Sequence, residues 1–153
     1  MDIRLRDAKQ EDARLLFAWR NDGETRNQSR YMSPIEWERH EEWLTRALSS
    51  GTCHIVIAED AEGAPLGTVR ADVQEGDVAE ISYTVAPLFR GKGLSKPIVK
   101  KFVDEYLKGK KIVAHIKRGH VQSESVARML NLVPVREVPS EDSDDKRPMV
   151  EWR

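Results

Sequence analysis

The segment Val85-Ala86-Pro87-Leu88-Phe89-Arg90-Gly91-Lys92-Gly93-Leu94-Ser95 carries two glycines and two cations in a run of four residues, with Lys96 directly after it. It joins a strand pattern, Ile81 to Val85, to a helix pattern that starts near Leu94. Glycine enters backbone angles closed to other residues, so successive N–H groups at Gly91 and Gly93 can converge on one point. A helix starting there aims its first unpaired amides and positive dipole end at the same point. The predicted guest is phosphate, with Arg90, Lys92 and Lys96 adding charge around it. Two common phosphate loops are excluded. A Walker loop needs glycine where Ala86 stands and a hydroxyl where Gly93 follows Lys92. A dinucleotide fingerprint needs glycine at Lys96 and a preceding strand that opens a parallel set.

The surrounding elements must hold this corner in place. Ile3 and Leu5 suggest a first strand, and Glu11 to Trp19 put Leu15, Leu16 and Trp19 on one helical face. Arg20-Asn21-Asp22-Gly23 ends that helix, and a polar stretch with Arg26, Asn27, Arg30 and Tyr31 follows. Ser33-Pro34-Ile35-Glu36 reads as a capping box with proline at the first helical position. The second helix then runs to about Leu48, with Trp37, Glu41, Leu44 and Leu48 on one face and His40 and Trp43 beside it. Three antiparallel strands are expected at His54–Glu59, Leu66–Val73 and Ala79–Val85, with turns at Glu62-Gly63 and Glu75-Gly76-Asp77.

Beyond the glycine turn, Leu94, Ile98, Phe102, Val103 and Tyr106 trace a helix that covers the sheet, with Pro97 in its opening turn. Ile112 to Ile116 is a continuous apolar run suited to a buried strand parallel to the one before that helix, which gives a β-α-β unit. A short helix from about Ser123 to Leu130 and strands near Val135 and Val150 complete the chain, with Ser140 to Lys146 as a solvated hairpin loop. The class is α/β (α+β), with the order β-α-α-β-β-β-α-β-α-β-β.

The chain of 153 residues is expected to form one domain, a length that buries about 70% of the surface an unfolded chain exposes. Lys+Arg (25) and Asp+Glu (26) nearly cancel, so no overall field draws nucleic acid or an anionic membrane. The amino-terminal residues have no apolar run resembling a signal peptide, and no segment reaches transmembrane length, so a cytoplasmic location is expected. Cys53 is the only cysteine, cannot form an internal disulfide, and reads as a buried strand thiol. His40, His54, His115 and His120 lack compact spacing, so no metal site is expected, and His115 reads as a packed strand residue.

The corner and the element order together resemble the GNAT superfamily of acetyl-CoA-dependent N-acetyltransferases. Its signature, Arg/Gln-x-x-Gly-x-Gly/Ala at a strand-to-helix junction, is met by Arg90-Gly91-Lys92-Gly93-Leu94-Ser95, with serine in the last small position. The resemblance implies a central, mixed, mostly antiparallel sheet flanked by helices. It also implies that backbone amides from Arg90 to Ser95 hold the pyrophosphate of coenzyme A. Tyr83, Thr84 and Val85 would pair with the pantetheine arm, and the Val85 amide would polarise the thioester carbonyl. The arm carries amides, so it can act as a pseudo-strand where two parallel strands diverge.

A second motif is altered. Family members carry Asn-x-x-Ser/Ala, an aromatic residue that is often a tyrosine acid, and then Gly-Phe. Here His120 replaces the asparagine, Ala127 the aromatic, and Asn131-Leu132 the Gly-Phe. Asn131 can still adopt the left-handed helix end.

The implied chemistry is direct attack of a neutral amine on the thioester. Glu80 is the expected base, and Asp72 is a second candidate or a contact to the substrate amine. Ser123 and His120 are expected on the cofactor side, where Ser123 either assists the thiolate or caps its helix. Trp19-Arg20-Asn21-Asp22, with Arg26 and His40-x-x-Trp43, is similar to a subgroup that acetylates nucleotide-linked amino sugars, the pseudaminic-acid pathway type. In that reading Trp19, Arg20, Asn21 and Arg26 line the acceptor side, and an arginine holds the diphosphate. Two other functions share the pattern: acetylation of a protein amino terminus of the ribosomal-protein type, and non-catalytic coenzyme A binding. A homodimer is common in such folds.

Overall fold

The computed structural model describes residues 1–30, 32–139 and 147–153. Tyr31 and the expected hairpin loop Ser140–Lys146 lie outside the described residues.

Among the described residues, seven strands form one sheet in the spatial order β1-β2-β3-β4-β5-β7-β6. They are β1 (Arg4–Asp7), β2 (Cys53–Glu59), β3 (Pro65–Gln74), β4 (Val78–Val85), β5 (Lys111–Lys117), β6 (Pro134–Val138) and β7 (Met149–Trp152). Neighbours are antiparallel except β4 and β5, the expected parallel pair joined by a helical crossover. β7 inserts between β5 and β6, a placement the sequence does not reveal.

Strand alternation divides the core between the two faces of the sheet. On one face Val56, Ala58, Val69, Ala71, Ala79 and Ile81 pack with Ile98 and Phe102 of α4 (Ser95–Tyr106) and Val126 and Ala127 of α5 (Val121–Met129). On the other face Ile55 and Ile57 meet Leu16 and Trp19 of α1 (Ala13–Asn21) and Leu44 of α3 (Trp37–Ser49). The first expected helix is split, with a 3-10 turn at Gln10–Asp12 preceding α1. There Asp12 accepts from the Lys9 amide at 2.8 Å and pairs with Arg6.

Three expectations are corrected. The polar stretch after α1 contains a helix, α2 (Gly23–Gln28), whose Thr25 amide is capped by Asp22 Oδ2 at 3.1 Å. Its sequence has no apolar period, so only the cap is visible in advance. The capping box before α3 is unused. The Asn21 side chain accepts from the Ile35 amide at 2.8 Å and donates to the Ile35 carbonyl at 2.9 Å, which holds that residue in the connection outside the helix. The helix therefore starts at Trp37, with Glu36 extended before it. The buried row of α3 is His40, Leu44 and Ala47, whereas Glu41 is exposed. His40 is completely buried, with Nε2 3.0 Å from the Ala13 carbonyl, and burial lowers its pKa.

Gly67 on β3 stands opposite Val85 of β4. A Cβ there would lie 2.5 Å from the Thr84 carbonyl oxygen and 3.2 Å from the Val85 Cα. Gly67→Ala is expected to destabilise the fold by about 1–3 kcal/mol, the usual overpacking range, by forcing β4 away from β3. Chemical denaturation measures this, and unchanged stability would show that the strands part without cost.

Candidate active site

The turn after β4 passes through a 3-10 turn, Pro87–Phe89, into the glycine corner. Gly91 and Gly93 have φ of 77° and 70°, the left-handed region predicted for them. Among the described residues, the amides from Gly91 to Lys96 donate to no backbone carbonyl. Gly91, Lys92, Gly93 and Lys96 are exposed, while Leu94 and Ser95 turn inward at the start of α4. A Cβ on either glycine would meet nothing within 4 Å, so the space above the corner is open. These groups can collect an anion.

Arg90 is spent differently from the expectation. Its guanidinium bonds Asp22, Glu24 at 2.9 Å and the Thr25 hydroxyl at 3.0 Å, so it ties the corner to α2. Arg90 also holds Asp22 below the usual carboxylate range. Lys92 lies over the Phe89 ring, 5.6 Å from its centroid.

β4 and β5 pair only over Val78–Glu80 and Lys111–Val113. Beyond Glu80 the ladder stops and the strands fork. The Ala86 amide bonds the Leu66 carbonyl at 2.8 Å on the β3 side. Polar groups of successive strand residues alternate in direction, so Tyr83 and Val85 present theirs to the fork. Peptide-like amides can pair there.

Side chains border the fork on both faces. On the α5 side, Tyr83 Oη is 3.0 Å from Ser123 Oγ, and Ser123 Oγ is 3.5 Å from His120 Nε2. Gln122 Nε2 donates to Ser95 Oγ at 3.1 Å. Burial raises the Tyr83 pKa and lowers that of His120. Asn131 takes φ 64°, the left-handed helix end expected of it.

On the opposite face, antiparallel register sets Asp72 against Glu80 and Arg70 against Ser82. Glu80 Oε1 is 2.7 Å from His115 Nδ1, and this contact is the main reason its pKa lies below the usual carboxylate value. Asp72 accepts from Arg70 Nε at 3.0 Å. It also borders Cys53, whose thiol is pushed up to about 11, chiefly by burial.

The expected acceptor residues divide. Trp19 is 6% exposed and belongs to the core. Asn21 is engaged with Ile35, and Arg26 donates to the carbonyls of Asn21 and Met32 at 3.1 and 3.2 Å. Arg20 and Arg70 flank the Trp43 ring, 4.9 and 5.2 Å from its centroid. Arg20 has a buried Nη1 without a hydrogen-bond partner in the described structure, and burial lowers its pKa.

His115, Tyr83 Oη and Arg70 are polar groups beside the fork that sequence reasoning passed over. His115 is not a packed apolar-strand residue. A signal existed, because it is the one ionisable residue inside the apolar run Ile112–Ile116. Period 2 puts it on the same face as Val113, the register partner of Glu80.

Solved structures share this arrangement of elements. Spermidine N-acetyltransferase from Vibrio cholerae, in complex with CoA and spermine, is 17% identical with a TM-score of 0.88, and the match covers 99% of this chain and 94% of that one. Ribosomal-protein-alanine N-acetyltransferase from Brucella melitensis is 21% identical with a TM-score of 0.81, covering 97% of each chain. At these identities the likeness is one of fold. No curated relative matches the sequence at a significant level. The family model described as Acetyltransferase (GNAT) domain matches residues 2–133, most of the chain and all of the fork and corner. The chain therefore belongs to the GNAT acetyltransferase family and is an acyltransferase.

Proposed function

We propose that this chain, as one domain, transfers acetyl from acetyl-CoA to the primary amine of a small acceptor that also carries negative charge, by direct attack in a ternary complex. The observation that carries the reading is the fork. A strand edge at Tyr83 and Val85, past the end of the β4–β5 ladder, runs from the amides of Gly91–Lys96, which donate to no backbone carbonyl among the described residues, toward the carboxylate of Glu80. The corner fits the diphosphate of the cosubstrate, and the edge fits its amide-bearing arm, with Thr84 beside it and His120 and Ser123 across the fork. When bound, acetyl-CoA supplies the activated thioester. Glu80 takes the amine proton, and Asp72 orients the amine. Ser123, bonded to the Tyr83 hydroxyl, offers a proton near the departing sulfur, and the raised Tyr83 pKa keeps that hydroxyl protonated.

Charge favours an anionic acceptor over a polycation. Arg30 and Arg70 both act on Glu80 electrostatically, and Arg20 and Arg70 both lie over the Trp43 ring, 4.9 and 5.2 Å from its centroid. Guanidinium groups beside an indole suit a phosphate next to a base or sugar ring, as in a nucleotide-linked amino sugar.

Thiol release is to be measured with acetyl-CoA and three acceptors: a nucleotide-linked amino sugar, spermidine, and a peptide with amino-terminal alanine. The expected result is saturable turnover of the sugar nucleotide, with kcat/KM at least about tenfold above spermidine, equivalent to ~1.4 kcal/mol. Preference for spermidine or the peptide overturns the anionic acceptor. Acetyl-CoA binding without thiol release in any of the three supports a non-catalytic coenzyme A-binding role.

A further inference from the structure

His115 stands between three charged groups in an arrangement that depends on one proton. Its Nε2 is 3.1 Å from Glu151 Oε1. Its Nδ1 is 2.7 Å from Glu80 Oε1 and 3.0 Å from an Arg30 guanidinium nitrogen. An ionised carboxylate only accepts and a guanidinium only donates, so one nitrogen cannot serve both. Protonated Nδ1 donates to Glu80, whereas bare Nδ1 accepts from Arg30. In both states Nε2–H donates to Glu151.

That fixed end is well built. The Glu151 side chain is 5% exposed, accepts two bonds from Arg136 at 3.2 Å and one from Arg153 at 2.9 Å, and sits opposite His115 in the β5–β7 register. Arg136, then Arg153 and His115, hold its pKa down to about 2, so it stays ionised. The variable is the proton on Nδ1 alone.

We propose that His115, oriented by Glu151, stores the proton that Glu80 removes from the acceptor amine. In the transfer an N–H bond of the substrate ammonium breaks and a Glu80 O–H bond forms. That O–H bond then breaks and His115 Nδ1–H forms, which restores the Glu80 carboxylate and leaves a neutral amine to attack. The proton passes from the imidazolium to solvent after product leaves. His115 is thus a positioning and proton-storing residue that acts through Glu80, and the inference rests on Glu80 being the base.

The chemistry needs such a store. Glu80, its pKa lowered chiefly by the His115 contact, is a poor final acceptor for an ammonium proton. His115, its pKa raised chiefly by Glu80 and further by Glu151, is a better one. Among the described residues, the charged groups facing the pair are Arg30 after α2, Arg70 and Asp72 on β3, with Asp72 opposite Glu80 and paired with Arg70, and Glu151 on β7, the last carrying Arg136 of β6 and Arg153 behind it.

The test pairs nitrogen-detected histidine NMR titration of the whole chain without substrates with the pH profile of kcat/KM. Wild type is expected to show His115 titrating above the ordinary histidine value, and kcat/KM rising with pH as that proton leaves. Glu151→Gln removes an anionic partner, so the His115 titration and the acid limb of the profile should both move down by about one pH unit. His115→Gln should abolish that limb and lower kcat, with the KM for acetyl-CoA unchanged. A merely structural role predicts a lower melting temperature with the limb in place. Turnover whose limb stays put in Glu151→Gln while the NMR titration moves overturns the storage role and leaves the acetyl-transfer reading intact. An unmoved His115 titration in Glu151→Gln overturns it also. No turnover of any amine, with the NMR shift present, overturns the acetyl-transfer reading and the catalytic use of the proton together.

Discussion

Glu80→Gln is expected to lower kcat for the preferred amine by about 10²–10⁴-fold, the usual contribution of a positioned base. The substitution keeps the shape of the side chain and an oxygen that can still accept from His115 Nδ1, so the fork and the melting temperature should change little. The loss should be greatest near neutral pH. At high pH the acceptor amine is already neutral, and part of the rate should return. A pH series of initial thiol-release rates checks this, and a full rate retained at every pH would remove Glu80 from the chemistry. Asp72 offers the internal control. It stands opposite Glu80 in the register but already accepts from Arg70, so Asp72→Asn should raise the KM of the amine more than it lowers kcat.

The second large effect is expected at the corner. Gly93 has φ 70°, and a β-branched residue there costs on the order of 1–3 kcal/mol in backbone strain. Gly93→Val should relieve that strain by re-aiming the local amides, which corresponds to about 5- to 150-fold weaker acetyl-CoA binding. Thermal unfolding with and without acetyl-CoA measures it: the unliganded transition should stay close to wild type and the stabilisation by acetyl-CoA should nearly vanish. The space above Gly93 is open, so steric exclusion by a methyl group is not the cause. Gly93→Ala, with a smaller penalty, should fall between the two. Equal stabilisation of wild type and Gly93→Val would mean that the corner does not hold the diphosphate.

Most of the frame was legible in the sequence because it rests on local patterns. The glycine pair, the period of Leu94–Tyr106 and the three successive strands each depend on near neighbours, and the parallel β4–β5 pair followed from the crossover helix between them. What escaped depends on distant contacts. The start of α3 was misplaced because Asn21, fourteen residues earlier, claims Ile35. α2 has no apolar stripe and is held by Asp22, which also binds Arg90, 68 residues away in sequence. Within the candidate site, the places of Glu80 on a strand and Ser123 on a helix were readable from the local patterns that carry them. The partnership of Glu80 with His115 was not, because it depends on the register of β5 against β4, which sets Glu80 opposite Val113, and on the ladder ending there.

The insertion of β7 between β5 and β6 has a consequence for biosynthesis. Met149–Trp152 is synthesised after the other described strands, yet it supplies Glu151, the partner of His115. A nascent chain lacking it can close the β1–β4 antiparallel meander from contacts already made, but the far wing of the sheet must wait, since its pairing spans long sequence separations. Stalled translation intermediates should therefore hold an assembled amino-terminal half, and the wing that carries His115 should mature only after β7 has been synthesised.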